Sequence, residues 1–326
     1  MQCINKIKAG FTRSGDLTFS QKRADQSIVG FEFECRKCLP CRLNIAREKS
    51  IRAMHEASMH QNNIFLTLTY SDEHLKSPRL QYLDFQLFMK RLREEHTKNI
   101  SDLELKKEMF ISYMVTGEYG DKNKRPHWHA IIFNYSPPDL TDYYTSDRGD
   151  KIFTSKIIDK LWGKNDPETC PSQIGSVTLD SAGYVARYAA KKLTHGHDNE
   201  HEFHPIHKTS SKHAIGRTWV EKHYKQIFEL GFCRIPNDEK QKTKIPRYYV
   251  DWLKKNHKEE YFQYISDVRL KIQKQSEEKA RAEELQYLSD TISAYNDKQP
   301  RPITYNKMRL TILNNKFKKL QERLKL

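Results

Sequence analysis

The stretch Arg125-Pro126-His127-Trp128-His129-Ala130-Ile131-Ile132-Phe133 places two histidines, one residue apart, at the start of a short apolar run. Such a run predicts a buried strand, and alternate side chains of a strand share one face. His127 and His129 therefore point to the same side, while Trp128 packs into the layer behind them. We predict that this strand lies at the centre of a sheet and that its two imidazoles converge on one site.

A second predicted strand, residues 110–116, lies upstream and is followed by Glu118. The polar segment 121–126 would join the two strands as a hairpin and bring Glu118 back beside the histidines. Two neutral imidazoles and a carboxylate suit a divalent ion that acts as a Lewis acid on a phosphate, with Mg²⁺ or Mn²⁺ favoured over Zn²⁺. The alternative is a pair of hydrogen-bonded structural histidines near a strand edge.

Downstream, residues 183–192 (GYVARYAAKK) predict a helix that carries two tyrosines. Tyr184 and Tyr188 are four residues apart and share a helical face, and Lys191 follows Tyr188 by three residues. A tyrosine with its ordinary pKa of about 10 is a poor nucleophile, but a metal-polarised phosphate and nearby positive charge would activate it. Alternatively, both tyrosines are half-buried residues of an amphipathic helix.

Glu118, His127-x-His129 and Tyr188-x-x-Lys191, in this order, resemble the signature of the HUH endonucleases that initiate rolling-circle DNA replication. Residues 65–70 (FLTLTY) stand where that family has its first motif. The tyrosine pair is similar to that of small single-stranded DNA phage initiators. Further motifs are similar to those of gokushovirus-type microvirus initiators, and they lie at 35–42, 54–57, 215–219 and 245–249. The resemblance extends from about Cys3 to about Leu253.

The resemblance implies an HUH/RRM-like fold and a metal-dependent nickase acting on single-stranded or locally melted origin DNA. Tyr188 or Tyr184 would attack a phosphodiester, leaving a 5′-phosphotyrosine and a 3′-OH primer, and the displaced strand would later be rejoined. Lys191 would stabilise developing charge. Weaker candidates for DNA contact are Arg125, Arg187 and Lys192. A host helicase and a host polymerase are the expected protein partners, and no small-molecule substrate is expected.

Other functions fit parts of the same pattern. A relaxase or transposase of the same superfamily would use the same chemistry on another substrate, although relaxases are expected to have the tyrosine before the histidines. A non-catalytic, zinc-stabilised DNA-binding protein would bind DNA without nicking it. A histidine phosphodiesterase would act on nucleotides and would need no tyrosine pair.

Three cysteines, Cys35, Cys38 and Cys41, recur at three-residue intervals, and Cys3 could fold back as a fourth ligand of a tetrahedral zinc site. Disulfides are not expected in a cytosolic protein. The spacing also resembles iron–sulfur ligation, and ordinary free thiols are the simplest alternative.

Composition favours an anionic partner, because 57 Lys and Arg residues against 42 Asp and Glu residues give a net charge of +15. Nucleic acid is the leading candidate, since phosphate contacts supply most non-specific affinity. No apolar run is long enough to cross a membrane and no signal segment is evident, so we expect the cytoplasm of a bacterial host cell. A nucleotide-binding P-loop is absent from the sequence, so DNA unwinding would require another protein.

The alternation of predicted strands and helices indicates an α+β fold with a central antiparallel sheet of about five strands and flanking helices. A Cys-rich N-terminal element (1–45), an endonuclease domain (46–250) and a basic helical C-terminal region (251–326) are the predicted parts. Segments 134–148 and 195–213, the second rich in histidine, are predicted to be polar loops.

Overall fold

The structure is a computed structural model. It describes residues 3–27, 30–73, 75, 77–120, 123–147, 149–163, 171–191, 205–236, 238–296 and 303–324, without the side chains of 188–191, 238–240, 293–296 and 320–324. The chain divides into two compact units. The first comprises Met1–Ile227 and Phe232–Leu253, and the second comprises Phe228–Gly231 and Lys254–Leu326.

A large antiparallel sheet forms the centre of the first unit. Its strands, among the described residues, are β4 (Asn63–Thr69), β5 (Ser112–Tyr119), β6 (Pro126–Phe133), β7 (Thr141–Thr145), β8 (Lys151–Thr154), β9 (Gln173–Gly175) and β10 (Ile206–Thr209). They lie in the order β10-β5-β6-β4-β9-β8-β7. An N-terminal sheet, ordered β2-β1-β3, is built from β1 (Ile7–Phe11), β2 (Leu17–Thr18) and β3 (Phe31–Phe33). β11 (Cys233–Ile235) and β12 (Asp238–Thr243) form a separate ribbon.

Helices surround the central sheet and continue into the second unit. Those that begin before residue 250 are α1 (Leu39–Ala57), α2 (Tyr82–Thr97), α3 (Leu103–Glu108), α4 (Lys156–Trp162), α5 (Leu179–Lys191), α6 (Arg217–Leu230) and α7 (Arg247–Asn256). Those that follow are α8 (Lys258–Gln263), a π-helical segment (Tyr264–Arg269), α9 (Leu270–Asn296) and α10 (Tyr305–Leu324).

The period-two alternation of the central strands gives the sheet two different faces. Leu66, Trp128 and Val115 point to one face, where they form a core with Phe85 of α2 and Ile158 of α4. These five side chains are fully buried, so the face is closed by apolar packing. Intervening residues of β4, β5 and β6 point to the opposite face, which α5 contacts. The sequence therefore assigns apolar side chains to one face and leaves the polar ones to share the other.

Register at the centre of the sheet depends on a glycine. Gly117 lies directly opposite Trp128, and a Cβ atom at position 117 would lie 2.7 Å from the indole ring. Trp128 Nε1 donates to the Tyr70 hydroxyl at 2.9 Å, and that hydroxyl donates to Asp84. The missing side chain at Gly117 thus makes room for the largest residue of the core, as a close approach requires.

The predicted α+β class with a central antiparallel sheet is confirmed. The described residues contribute seven strands to that sheet, more than the five or so expected. Two of the additional strands correct our loop assignments: β7 lies within 134–148, and β10 lies within 195–213. β10 forms because Ile206–Thr209 hydrogen-bonds to the free edge of β5, a pairing across about ninety residues that no local pattern marks.

Three distant segments meet on α1 around a buried polar pair. His55 stacks on Trp219 with ring centroids 3.5 Å apart, and its Nδ1 atom lies 2.8 Å from the Tyr249 hydroxyl. The neighbouring Glu56 carboxylate accepts from the backbone N–H of Gly216 at 2.7 Å. Gly216 has a φ angle of 79°, and a Cβ there would lie 2.4 Å from the Tyr249 hydroxyl oxygen. The motifs at 54–57, 215–219 and 245–249 therefore form one packed network.

In the second unit, the start of α10 lies beside α9. The Tyr287 hydroxyl donates to the Ile303 carbonyl at 2.5 Å, and the Tyr305 hydroxyl donates to Glu283 at 3.1 Å. Exposed apolar side chains follow α9, including Leu285, Leu288 and Ile292, so much of this helix is not packed on a core.

Candidate functional site

The hairpin of β5 and β6 positions the predicted metal ligands. In its register Glu118 lies directly opposite His127, and Thr116 lies opposite His129. Because these residues share the face of the sheet that α5 contacts, the three candidate ligand side chains meet. One ligand atom from each of Glu118, His127 and His129 lies within 4.8 Å of the others. The structure thus brings together the three residues that the sequence predicted as a metal site.

Both histidines direct Nε2 toward the same carboxylate oxygen. The distance to Glu118 Oε1 is 3.1 Å from His127 and 2.9 Å from His129. His127 Nδ1 lies 3.2 Å from the carbonyl oxygen of Arg125, which can only accept, so Nδ1 carries a proton. In a neutral His127, Nε2 then holds a lone pair that faces a carboxylate oxygen. Two acceptors at this separation require a proton or a cation between them.

Further contacts orient His129. Its Nδ1 atom lies 3.0 Å from the Thr67 hydroxyl on β4, and its ring stacks on Phe65 at an interplanar angle of 8°. Burial lowers the pKa of His129, which opposes the raising effect of Glu118, and the imidazole is therefore neutral near pH 7. A neutral ring held by a hydrogen bond at Nδ1 is the usual form of a metal-binding histidine. The donor set and its supporting contacts fit a divalent cation.

Helix α5 places a tyrosine on this site. The Tyr184 hydroxyl donates to Glu118 Oε1 at 2.7 Å, and its ring meets the His129 ring edge-on at 5.0 Å. The helix can approach because Ala182, Val185 and Ala186 are fully buried. Tyr184 therefore contacts the oxygen that both histidines face.

The remaining predicted residues of this helix are only partly described. The backbone of Tyr188 follows Tyr184 by one helical turn, and Lys191 ends α5. The side chains of Tyr188 and Lys191, and the whole of Lys192, lie outside the described residues. Their predicted roles as nucleophile, charge-stabilising group and DNA contact stay predictions.

Comparisons with known proteins agree on one family. The chain is 50% identical to "Replication-associated protein VP4" of Bdellovibrio phage phiMH2K over 326 residues, the full length of both chains. It is 32% identical to "Replication-associated protein ORF2" of Spiroplasma virus 4 over 257 residues, or 76% of each chain. It is also 30% identical to "Replication-associated protein ORF4" of Chlamydia phage 1 over 239 residues, 69% of this chain and 54% of that protein. The chain belongs to the gokushovirus-type replication-associated proteins.

A family model for replication-associated proteins of the ORF2 type matches residues 63–193 of this replication initiator. That range begins with β4 and ends just after α5, so it contains the metal-site candidates and both tyrosines. Its role in phage replication implies a DNA partner and places the protein inside the host cell. No solved structure matches the chain. In the described part of the initiator, none of the helices has the length and apolar character to cross a membrane.

The weaker DNA-contact candidates of the initiator have protein partners. Arg125 donates to Asp72 and to the Tyr70 carbonyl, both at 2.6 Å, so its guanidinium also holds the hairpin loop. Arg187 is half-buried on α5 and its guanidinium lies near Gly183. A role in DNA binding stays a prediction for both arginines.

Sequence reasoning missed two residues that support the site, Thr67 and Phe65. Both lie on β4, and their side chains share the face of His129 because Thr67 pairs with His129 in the β4–β6 register. The period-two pattern of residues 65–70 could have indicated that they share one face. Nothing in the local sequence indicated that this face would meet the histidines.

The predicted cysteine site lies apart from these residues. Ligand atoms of Cys3, Cys35, Cys38 and Cys41 lie within 4.8 Å of one another, and all four are free thiols. Burial opposes ionisation of Cys35, but N–H groups of Cys38 and Lys37 outweigh it and lower the pKa of Cys35 to about 7. The structure brings together the four residues that the sequence predicted.

Proposed function

We propose that this initiator nicks single-stranded or locally melted origin DNA and becomes covalently attached to the cleaved strand. The observation that carries the proposal is the hydrogen bond from the Tyr184 hydroxyl to Glu118 Oε1, the atom that both histidines face. A candidate nucleophile therefore lies at a site that can hold a divalent cation. Such an arrangement suits phosphoryl transfer better than a purely structural role.

Glu118, His127 and His129 would hold Mg²⁺ or Mn²⁺ through Oε1 and the two Nε2 atoms. When bound, the ion would polarise the scissile phosphate and stabilise its developing charge. The protein keeps both imidazoles neutral and oriented, through burial, Thr67 and the Arg125 carbonyl. Those contacts prepare lone pairs for a cation without rearrangement of the sheet.

The tyrosine oxygen would attack the phosphorus atom in line with the bond to the 3′ oxygen. A tyrosine–phosphorus bond forms, the bond from phosphorus to the 3′ oxygen breaks, and the 3′ oxygen leaves as a hydroxyl. The Tyr184 proton already points to Glu118, which would accept it. The covalent bond conserves the energy of the phosphodiester for later rejoining, and the 3′-OH can prime a polymerase.

Two tyrosines would allow two successive cleavages. Tyr188 follows Tyr184 by one turn of α5, so one residue could hold the 5′ end while the other cleaves the regenerated origin. Lys191 would stabilise charge on the phosphate. A host helicase and polymerase would supply unwinding and synthesis in the bacterial cytoplasm.

Incubation of the purified chain with labelled single-stranded circles from its own genome, with and without Mn²⁺, tests this proposal. We expect a metal-dependent protein–DNA adduct whose peptide maps to Tyr184 or Tyr188. The double variant Tyr184→Phe/Tyr188→Phe should bind DNA without forming the adduct. Tyr143→Phe, which changes an exposed tyrosine of β7, is the matched control and should form it normally.

Two outcomes would overturn the assignment. An undiminished adduct in the double variant would exclude these tyrosines as nucleophiles. DNA binding with no adduct under any metal would favour a zinc-stabilised, non-catalytic DNA-binding protein. Adduct formation on substrates without the origin would instead favour a transposase or relaxase of the same superfamily.

A further inference from the structure

Four cysteine thiols of the N-terminal region lie at the spacing of a single-ion site. The Sγ atoms of Cys38 and Cys3 are 3.9 Å apart, and the ligand atoms of all four cysteines are within 4.8 Å of one another. Tetrahedral zinc with Zn–S bonds of about 2.3 Å separates its sulfurs by about 3.8 Å. Thiolates are also the ligands that structural zinc sites use most.

Neither of the other cysteine chemistries fits this spacing. A disulfide needs sulfur atoms about 2.05 Å apart, much closer than those of Cys38 and Cys3. An iron–sulfur cluster places several iron and sulfide ions between the thiolates, which would hold the sulfurs farther apart than they are. The separation therefore suits one metal ion.

The backbone around the thiols is arranged to support negative sulfur. The N–H of Cys35 donates to Cys3 Sγ, and the N–H of Cys38 donates to Cys35 Sγ, both at 3.3 Å. Arg36, with a φ angle of 59°, adopts the left-handed conformation that turns the loop between them. Arg42 on α1 interacts electrostatically with Cys38. Four thiolates and one Zn²⁺ carry a net negative charge, which such donors and cations stabilise.

The N-terminal sheet has little core of its own. Its strands are short, and several of its large apolar side chains are exposed: Ile7, Phe11, Leu17, Phe19 and Phe33. A sheet that buries so little apolar surface needs a disulfide, a metal or a partner to hold it together. Cys3 precedes β1 and Cys35 follows β3, so the thiols gather where both strands end.

The other two cysteines belong to the start of a helix. Cys38 is the N-cap of α1, and Cys41 lies in its first turn. We propose that Cys3, Cys35, Cys38 and Cys41 bind one structural zinc ion, which fastens the N-terminal sheet to the start of α1. The ion is separate from the Glu118 site and takes no part in the proposed nicking, so either proposal can fail without the other.

Metal analysis of the purified full-length chain tests the site. We expect about one tightly bound zinc ion per chain in the wild type, and its loss in Cys38→Ser. Cys233→Ser is the matched control, because Cys233 Sγ lies 3.1 Å from the Thr243 hydroxyl and a serine can keep that contact. His127→Ala should retain the zinc, which separates this site from the Glu118 site.

A measurement on the wild type covers the case in which Cys38→Ser does not fold. Chelated protein titrated with Co²⁺ should develop the strong near-ultraviolet absorption of thiolate ligation, and about one equivalent of Zn²⁺ should remove it. Limited proteolysis should then cut residues 3–35 faster in the chelated protein than in the zinc form. Iron–sulfide absorption, zinc retained in Cys38→Ser, or Co²⁺ spectra without thiolate bands would overturn the proposal.

Discussion

Replacing Thr67 with valine should weaken the proposed metal site without removing a ligand. Thr67 Oγ1 lies 3.0 Å from His129 Nδ1, and valine has nearly the same shape but no hydroxyl. With Nε2 directed at the ion, Nδ1 carries the proton and needs an acceptor in a site where His129 is only 9% exposed. Loss of the outer partner of a metal-binding histidine reduces metal affinity about 10- to 100-fold. The corresponding loss of binding free energy is about 1.4 to 2.8 kcal/mol.

Isothermal titration with Mn²⁺ at pH 7.5 measures this effect. Burial lowers the pKa of His129, so the imidazole is neutral at that pH and the titration is not complicated by its protonation. Thr116→Val is the matched control: Thr116 lies opposite His129 on β5, but its hydroxyl donates to the Ile206 carbonyl at 3.1 Å. We expect its Mn²⁺ affinity to stay within about twofold of the wild type.

Two results would refute the reasoning. Equal Mn²⁺ affinity in Thr67→Val and the wild type would show that the hydroxyl does not orient the histidine. An equal loss in Thr116→Val would show that any cavity or lost hydrogen bond in this part of the sheet has the same effect.

Three further changes have expected outcomes. Gly216→Ala should lower the free energy of unfolding by about 2 to 4 kcal/mol in urea titrations, because φ is positive and the new Cβ meets the Tyr249 hydroxyl at 2.4 Å. His55→Gln should flatten the loss of stability between pH 6.5 and about 4. Burial lowers the pKa of His55 to about 4, so the unfolded chain takes up a proton first and stability falls as the pH drops through this window, by roughly 3 kcal/mol. Glu118→Gln should reduce adduct formation at least about 100-fold in the nicking assay, since it removes both the anionic ligand and the proton acceptor of Tyr184.

Controls for these changes are equally specific. Gly149→Ala tests the backbone effect alone, because Gly149 also has a positive φ angle but no atom within 4 Å of its Cβ position. An equal loss of stability there would contradict the role of the contact with Tyr249. An unchanged pH profile in His55→Gln would show that His55 does not control acid stability. For Glu118→Gln, circular dichroism must match the wild type, and full adduct formation would remove Glu118 from the mechanism.

Long-range pairing explains what the sequence did not predict. β10 was assigned to a loop because four residues with one apolar side chain form a strand only when the edge of β5 is available. The buried pair His55 and Glu56 contacts Tyr249 and Gly216, which are 194 and 160 residues away. No local periodicity records such partners, because their position depends on the packing of the whole unit.

The sequence by itself determined the local geometry of the site. Alternation in a strand places His127 and His129 on one face, and a short hairpin returns Glu118 to them, since both follow from covalent backbone geometry. Only the tertiary structure brought Tyr184 onto Glu118, Thr67 onto His129 and Cys3 onto the distant cysteine loop. Those contacts depend on strand register and on helix packing over a shared core. Both are set by the total burial of apolar surface, which no short segment contains.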